Sequence, residues 1–390
     1  MILKRITAMT MFMMLFLLIL AVPDIYVWSL YVRPSGSLLA KAVWWLPAIA
    51  AFAAAGAWFA GFYADWLMRC FFVILLCFAL PKLLFMLFSL VGLGAGRWLP
   101  SAHKWCDIAG AVAGVAMCCC SIYGLTAGLR RLEVREVEVE FGNLPAAFDG
   151  YRIVHLSDLH TGTFGDDTSF IERLVERVNG LQADAVVFTG DLVNVSPAEL
   201  GPHAAVLSGL RARDGVWSVL GNHDYCHYAR YDTPDGAAAA CAQVVDTERA
   251  MGWRVLMNEY ATIERGDGRI AIVGVENTGR PPFPSRGDLT KAVAGLEEDV
   301  FRILLTHDPF HWRYEVLPRE AAELTLSGHT HAMQFEVLGF SPSSWSYPEW
   351  GGLYREGRRM LYVSKGVGGT APFRFGAWPE IIVLTLRRSE

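Results

Sequence analysis

Seven side chains in the second half of the chain have the types and spacing expected of ligands for divalent cations. They offer carboxylate oxygens, imidazole nitrogens and one amide oxygen, a set that suits ions such as Mn²⁺, Fe²⁺ and Zn²⁺. No cysteine belongs to the set, which argues against a structural zinc site. The candidate ligands are Asp158, His160, Asp191, Asn222, His307, His329 and His331.

These seven ligands are too many for one cation, but they suit a pair. Two cations about 3.5–4 Å apart that share one carboxylate would use all of them. Such a pair favours phosphoryl chemistry, because it lowers the pKa of a bound water and neutralises charge on phosphate oxygens. A single Asp or His at the end of a strand more often caps a helix or is solvated. The prediction therefore depends on the whole set.

The motifs around these residues resemble those of calcineurin-like metallophosphoesterases. The chain has D-L-H at 158–160, G-D at 190–191, G-N-H-D at 221–224, T-H-D at 306–308 and G-H-T-H at 328–331. A finer resemblance is to the membrane-linked bacterial branch of the YkuE/YaeI type. It rests on H-L-S-D-L-H at 155–160, W-G-G-L-Y at 350–354, S-K-G-V-G at 364–368 and P-F-R-F-G at 372–376. That branch usually reads G-H-T-H-G-G-Q, whereas this chain has A-M-Q at 332–334.

The resemblance implies a role for each candidate residue. His223 would protonate the leaving oxygen as a general acid, and Asp224 would orient His223. Arg374 is a candidate for binding substrate phosphate, because arginine can donate two hydrogen bonds to it, with a surface ion pair as the alternative. The implied cation ligands are Asp158, His160 and His331 for the first ion, Asn222, His307 and His329 for the second, and Asp191 for both.

The order of the expected strands and helices predicts an α/β domain, a layered two-sheet sandwich flanked by helices. A period of two over 131–141 predicts a half-buried strand that opens the domain. Helices are expected at 168–179 and 204–210. Because loops at the carboxyl ends of strands gather in one crevice, distant side chains can meet there. Further strands are expected at 152–157, 185–189, 216–220, 270–275, 303–305, 324–327, 337–338, 360–363 and 381–386.

The first 130 residues predict a bundle of transmembrane helices. Four apolar runs, at about 9–31, 38–62, 70–93 and 108–129, are long enough to cross a bilayer. Buried core helices are the alternative, but apolar runs of about 20 residues are rare in soluble domains. We expect a transmembrane domain over 1–130, in contact with membrane lipid through the four helices, and a catalytic domain over 131–390.

The charges around the apolar runs predict a cytoplasmic catalytic domain, in the inner membrane if the source is bacterial. Lys4 and Arg5 precede the first run, and Arg130, Arg131 and Arg135 follow the fourth. The intervening 94–107 loop also carries two basic residues and argues against this orientation. Within the third run, a lysine at 82 is either a snorkelling side chain beside a proline kink or the functional partner of an aspartate at 24.

The leading functional prediction is hydrolysis of a phosphodiester or pyrophosphate bond by a hydroxide that bridges two metal ions, with a phosphate-ester or lipid-linked substrate at the membrane. A related branch cleaves the pyrophosphate of a UDP-diacylglucosamine lipid, which is the sharpest alternative. A non-enzymatic membrane sensor or scaffold and a transporter are alternatives of other classes. A net charge of −5 gives no indication of a nucleic-acid partner.

Overall fold

The computed structural model describes residues 18–59, 65–281 and 283–389. The chain divides into two compact units: one covers the residues up to Ala127 together with Ala371–Phe373, and the other covers Gly128–Thr370 and Arg374–Glu390. This division lies close to the expected domain boundary after residue 130. We call the two units the helical unit and the catalytic unit.

The helical unit contains a short apolar helix and longer ones that could span a membrane. Helix α1 covers Leu18–Val32. Among the described residues, three helices are long and apolar enough to cross a bilayer: α2 (Leu38–Ala57), α3 (Arg69–Ala95) and α4 (Ala102–Arg130). The expected run at 9–31 begins, and the run at 38–62 ends, outside the described residues. The count of four spans therefore stays a prediction.

Small residues allow close packing of α3 against α4. Gly110 and Gly114 are buried on α4, and a side chain at either position would meet the backbone or Cβ atoms of α3. This spacing of two glycines is common where membrane helices approach closely. On α3, Lys82 forms an ion pair with the buried Asp24 and lies 4.9 Å from the Trp44 ring. The charge at position 82 is thus paired, as one of the two interpretations expects.

Two six-stranded sheets form the centre of the catalytic unit, which confirms the expected two-sheet α/β domain. The first sheet has the order β1-β12-β2-β3-β4-β5 and the second β10-β11-β9-β8-β7-β6. In the first sheet the strands are β1 (Glu133–Phe141), β2 (Arg152–Leu156), β3 (Ala185–Phe188), β4 (Val216–Ser218), β5 (Arg254–Val255) and β12 (Glu380–Arg388). In the second they are β6 (Glu259–Arg265), β7 (Gly268–Gly274), β8 (Phe301–Leu305), β9 (Leu324–Ser327), β10 (Gly352–Glu356) and β11 (Arg359–Val363).

Successive side chains of the buried strands point alternately to the core between the sheets and to the outer helical layers. In β2, Ile153 faces the core between the sheets, while Val154 faces the outer helical layer. The inner core also takes Trp217 from β4 and Phe301 from β8, both fully buried. Strands buried on both faces read as continuous apolar runs, which is why the sequence revealed them. The flanking helices are α5 (Ser169–Gly180), α6 (Ala204–Leu207), α7 (Gly236–Ala250) and α8 (Leu289–Ala292).

One expected strand is wrong. Residues 337–338 form part of a tight turn, in which the Val337 and Phe340 backbones exchange hydrogen bonds of 2.9 and 3.0 Å. Leu338 and Gly339 occupy the centre with φ of 52° and 77°. Apolar character alone predicted a strand here. The side chains at 337 and 338 are exposed, however, and neither residue belongs to one of the two sheets. The expected helix at 204–210 is also shorter, since α6 ends at Leu207.

Candidate metal centre

Both sheets contribute candidate ligands at one edge of the sandwich. Strands β2, β3 and β4 are parallel neighbours in the first sheet, and β8 and β9 are parallel neighbours in the second. Each ends just before a candidate ligand, so their carboxyl ends bring distant parts of the chain together. The ligands that follow these strands are Asp158 and His160, Asp191, Asn222, His307, and His329 and His331.

The tight loops at these strand ends need glycine. A Cβ at Gly221 would collide with the backbone and carboxylate of Asp191, and a Cβ at Gly328 would collide with Ser157 and Asp158. Gly221 therefore lets the loops after the neighbouring strands β4 and β3 approach closely, and Gly328 does the same for the loops after β9 and β2, which belong to different sheets. This explains in physical terms why the G-N-H-D and G-H-T-H motifs begin with glycine.

The first ligand group consists of Asp158, His160, Asp191 and His331, whose ligand atoms all lie within 4.8 Å of one another. His160 Nε2 is 3.2 Å from His331 Nε2 and 3.5 Å from Asp191 Oδ2. Asp158 Oδ1 is 3.4 Å from His331 Nε2. Four ligand atoms therefore face a common point, at which a cation could be held.

The second ligand group consists of Asp191, His307 and His329, again within 4.8 Å. His307 Nε2 is 3.1 Å from Asp191 Oδ2 and 3.3 Å from His329 Nδ1. Asn222 lines the same cavity as Asp191 and His329. Its amide nitrogen donates to the Tyr228 hydroxyl at 3.0 Å, while its buried Oδ1 has no hydrogen-bond partner among the described residues. Asp191 is common to both groups.

The protonation states of the cluster fit a divalent cation. Burial lowers the pKa of His160 to about 3 and that of His329 to about 4, so both imidazoles are neutral, as a metal ligand must be. Burial also raises the pKa of Asp158 to about 6. A buried carboxylate beside neutral imidazoles and an unpartnered amide oxygen is a set that cations would satisfy.

His307 is held in position by two acceptors. Its Nδ1–H donates to the Thr189 carbonyl at 2.7 Å, which leaves Nε2 facing Asp191. Burial lowers the pKa of His307, but the charge of Asp191 and its hydrogen bond more than offset this and raise it to about 10. A cation at this position would compete with the proton on Nε2, as metal ligation generally does.

Backbone strain is concentrated at the candidate ligands. Asp158, His160, Asp191, His329 and His331 all have positive φ, between 49° and 73°. Residues other than glycine adopt this conformation rarely, and it clusters at functional sites, where the surrounding structure enforces it. The strain turns each side chain from its strand end toward the shared centre.

Asp224 organises the backbone around Asp191. Its buried carboxylate accepts hydrogen bonds from the backbone N–H groups of Asp191, Leu192 and Gly221, at 2.7 to 2.8 Å. The expectation that Asp224 orients the His223 ring is therefore wrong, because its oxygens are used by these amides. Burial raises the pKa of Asp224 to about 6. Through these hydrogen bonds, Asp224 links the G-D loop to the G-N-H-D loop.

The His223 ring is oriented by a residue that the motifs did not indicate. His223 Nδ1–H donates to the Asn194 carbonyl at 2.5 Å, and the backbone N–H of His223 donates to Asp191 Oδ1 at 2.8 Å. The ring lies between His160 and Tyr228, with centroid distances of 4.8 and 4.4 Å. Because a carbonyl only accepts, Nδ1 carries a proton and Nε2 is the nitrogen available for proton transfer.

Arg374 does not reach the solvent side of the site. It is fully buried, and its guanidinium donates to the carbonyls of Gly368, Ala377 and Lys365. This placement contradicts the expected contact with substrate phosphate. Arg374 instead holds together the loop that follows β11.

Among the described residues, Arg280 is an arginine that lines the site, and the sequence analysis did not predict it. It lines a cavity of about 660 Å³ together with Asp191, Asn222, His223 and His329. Its guanidinium donates to the Ser346 carbonyl at 2.5 Å and lies 4.6 Å from the Tyr347 ring centre. No motif marked this residue. The only signal was its place in a loop that follows β7 at the same edge of the second sheet.

The departure from the branch motif after His331 falls on a strained segment. Ala332, Met333 and Gln334 all have positive φ, between 49° and 56°. Glycine adopts this conformation without a steric penalty, so the usual G-G of the branch would suit it better. Ala332 is buried, whereas the Met333 side chain is 59% exposed and lines the cavity.

Comparison with known proteins agrees with this fold and site. The family model for calcineurin-like phosphoesterases matches residues 151–333. The chain is 31% identical to metallophosphoesterase YkuE of Bacillus subtilis, over 71% of this chain and 94% of YkuE. It is also 31% identical to a transmembrane protein with metallophosphoesterase domain of Danio rerio, over 69% of this chain but only 60% of that protein. Identity to the UDP-2,3-diacylglucosamine pyrophosphatase LpxG of Chlamydia trachomatis is 27%, over 62% of this chain and 86% of LpxG.

The chain belongs to the calcineurin-like phosphoesterase family. It is a metal-dependent phosphoesterase, and enzymes of this family use two divalent metal ions. The apolar helices and the similarity to relatives named as transmembrane proteins support membrane association. The prediction of a phosphoesterase is thus confirmed.

Proposed function

We propose that this protein hydrolyses a phosphodiester or pyrophosphate bond in a membrane-associated substrate, with two cations chosen from Mn²⁺, Fe²⁺ and Zn²⁺. The observation that carries the proposal is the position of Asp191, whose Oδ2 lies 3.5 Å from His160 Nε2 and 3.1 Å from His307 Nε2. One carboxylate is therefore available to both ligand groups, as a two-cation site requires.

The assignment of ligands follows the two groups. Asp158, His160 and His331 would hold one cation, His307, His329 and the unpartnered Oδ1 of Asn222 would hold the other, and Asp191 would contribute to both. When bound, the cations supply a water of lowered pKa and neutralise charge on the phosphate oxygens. The chain's own residues fix the positions of the reacting groups.

His223 supplies the proton for the departing oxygen. Its Nδ1–H bond to Asn194 orients the ring, so that Nε2 is the free nitrogen within the cavity. A general acid at this position raises the rate by about 10²–10⁴-fold.

Arg280 binds an anionic group of the substrate beside the reacting phosphate. The Ser346 carbonyl and the Tyr347 ring hold the guanidinium in place, which lowers the entropy lost when substrate binds. The Arg280 side chain lines the cavity. A second anionic group suits a pyrophosphate or a diester with a charged neighbour.

The most specific alternative substrate is a lipid pyrophosphate of the UDP-diacylglucosamine type. LpxG carries that activity in its name, and its similarity covers 86% of LpxG. We place the catalytic unit on the cytoplasmic side of a four-span anchor, on the strength of the basic residues Arg130, Arg131 and Arg135 after α4.

A substrate comparison tests the proposal. The full-length protein, purified in detergent and supplied with Mn²⁺, is assayed with a chromogenic phosphodiester, with a UDP-linked diacyl lipid and with a lipid phosphomonoester. Turnover of either of the first two, lost on chelation and restored by Mn²⁺, is expected. Hydrolysis of the phosphomonoester alone would reject the proposed bond class, and hydrolysis of the chromogenic diester without the UDP lipid would reject the alternative.

A further inference from the structure

Five large apolar side chains stand exposed beside the candidate metal centre, in the segment that follows the G-H-T-H motif. We call them the apolar rim. Surface apolar residues are common singly, but a concentrated patch marks a site of interaction. The rim consists of Met333 (59% exposed), Val337 (41%), Leu338 (102%), Phe340 (47%) and Trp345 (79%).

The tip of the rim is a turn whose sequence conflicts with its conformation. Leu338 and Gly339 both have positive φ, as hairpin turns of the primed types require. Such turns favour Asn, Asp or Gly, yet the first central position is a leucine with its whole side chain in solvent. Leu338 stabilises neither the turn nor the core. We therefore look for its role in a contact with a molecule outside the catalytic unit.

The rim is continuous with the cavity of the candidate metal centre. Met333 and Trp345 line that cavity together with Asp191 and His329. The Trp345 ring lies 5.9 Å from the Phe340 ring, which connects the cavity wall to the exposed turn. The Phe340 and Trp345 rings therefore form an apolar connection between the turn and the cavity, along which an acyl chain could lie.

We propose that the apolar rim contacts the bilayer interface and binds the acyl chain of an amphiphilic phosphoester, whose phosphate then lies at the metal centre. The inference rests on the proposed function and adds the class of substrate. A bilayer is the favoured occupant because the same chain carries helices able to span one. Only Arg131 and Leu132 separate α4 from β1 in the chain, so the linker that tethers the catalytic unit to these helices is short. Tryptophan is moreover enriched at membrane interfaces.

Photo-cross-linking identifies what covers the rim without relying on activity. The full-length protein carries p-benzoylphenylalanine in place of Leu338 and is placed in nanodiscs of phosphatidylethanolamine and phosphatidylglycerol. Irradiation is expected to add the mass of a phospholipid. The matched control places the same probe at Gln182, another exposed residue with positive φ. Equal lipid adducts at both positions, no adduct at Leu338, or a cross-linked protein in place of lipid would each overturn the proposal.

A kinetic comparison tests whether the rim serves the substrate. Two 4-nitrophenyl phosphodiesters are used in the same nanodiscs, one with a methyl and one with a hexadecyl group. Leu338→Asn suits the turn better than leucine, so a loss of folding cannot explain its effect. We expect kcat/KM for the hexadecyl ester to fall about 10-fold, as for loss of one apolar side-chain contact, while the methyl ester changes less than about two-fold.

The two substrates also separate this inference from the proposed function. Gln182→Asn is the matched control and should leave both esters unchanged. Equal rates of Leu338→Asn and wild type on the hexadecyl ester would overturn the role of the rim, while hydrolysis of the methyl ester would still support the phosphoesterase. Absence of metal-dependent hydrolysis of either ester by the wild type would instead reject the proposed function.

Discussion

The helical unit and the catalytic unit distribute polar and apolar side chains in opposite ways. In the helical unit, large apolar side chains such as Leu38 and Trp98 are 81% and 84% exposed. In the catalytic unit, by contrast, Asp158, Asp191 and Asp224 are almost completely buried. Both patterns would be unfavourable in water alone. The first is explained by a lipid environment, and the second by bound cations and backbone amides.

The opposite distributions of polar and apolar side chains indicate that the two units are stabilised in different ways. The described helices depend on contact between their own small residues and on the surrounding lipid. The catalytic unit accepts strained loops and buried charge at one edge because two extensive sheets hold that edge in place. We therefore expect the catalytic unit to carry the chemistry and the helical unit to serve as the anchor, and the following predictions test that division.

The largest effect is expected at the shared carboxylate. Asp191→Asn keeps the shape of the side chain but removes the charge available to both cations, so turnover of a chromogenic phosphodiester should fall by about 10³-fold or more. Asp267→Asn, at an exposed turn, is the matched control and should keep wild-type turnover. Circular dichroism should show unchanged secondary structure. Turnover by Asp191→Asn within ten-fold of wild type would contradict the shared-ligand role.

The next effect should appear in stability without a change in chemistry. Lys82→Met leaves Asp24 without its ionic partner among apolar helices, which should lower the free energy of unfolding in detergent by about 3 kcal/mol. The double variant Lys82→Met/Asp24→Leu should recover much of this loss, as thermal unfolding in detergent would show. Below the unfolding temperature, both should turn over the phosphodiester as wild type does. A collapse of turnover in the folded variants would show that the helical unit takes part in catalysis.

Arg280→Ala should weaken substrate binding within the catalytic unit. Loss of a positioned guanidinium is expected to raise KM about 10- to 100-fold and to change kcat less. Arg280→Lys should recover part of the affinity, because it restores charge but not the planar donor geometry. Arg374→Lys provides a contrast, since it should lower thermal stability rather than raise KM. An unchanged KM for Arg280→Ala would remove this residue from the substrate site.

The smallest effect concerns a buried acid that is far from the proposed ligands in sequence. Burial raises the pKa of Glu248 to about 8, and Ser218 donates a hydrogen bond to it. Between the unfolded pKa near 4.5 and the folded one near 8, the unfolded chain loses this proton and the folded chain keeps it, so rising pH destabilises the wild type. Glu248→Gln removes this dependence.

The free energy of unfolding of Glu248→Gln, relative to that of the wild type, should therefore increase by roughly 1 kcal/mol from pH 5.5 to pH 6.5. Denaturant unfolding at both pH values measures this difference. Glu176→Gln, on the exposed side of α5, should show no such growth. A constant difference between Glu248→Gln and wild type would mean that Glu248 is charged in the folded protein.

Much of the site could be predicted because ligand chemistry is local in sequence. Each motif places its donor just after an apolar strand, and parallel strands bring such ends together, as Asp158, Asp191 and His307 illustrate. Composition likewise predicted the helical unit, because lipid-facing helices need long apolar runs. The two-sheet fold followed from apolar runs buried on both faces.

The failures occurred where a role depends on which neighbour a side chain meets. Asp224 follows His223 directly in the motif, but the loop turns its carboxylate toward backbone amides, and Asn194 takes the orienting role. Arg374 has the right charge for a phosphate, yet it is buried among carbonyls, while Arg280 lies in the cavity. Three-dimensional loop packing decides such cases, and a linear pattern does not record it.

The place of β12 also determines when the catalytic unit can form during synthesis. This last strand lies between β1 and β2, pairing with β1 along nine positions from Glu133–Glu380 to Phe141–Arg388. Until β12 has left the ribosome, β1 has no neighbour in its sheet among the described strands and one edge of β2 is open. The first sheet of the catalytic unit is therefore complete only after every other described strand has been synthesised. Deletion of β12 would leave both strand edges unpaired and open to pairing with other chains.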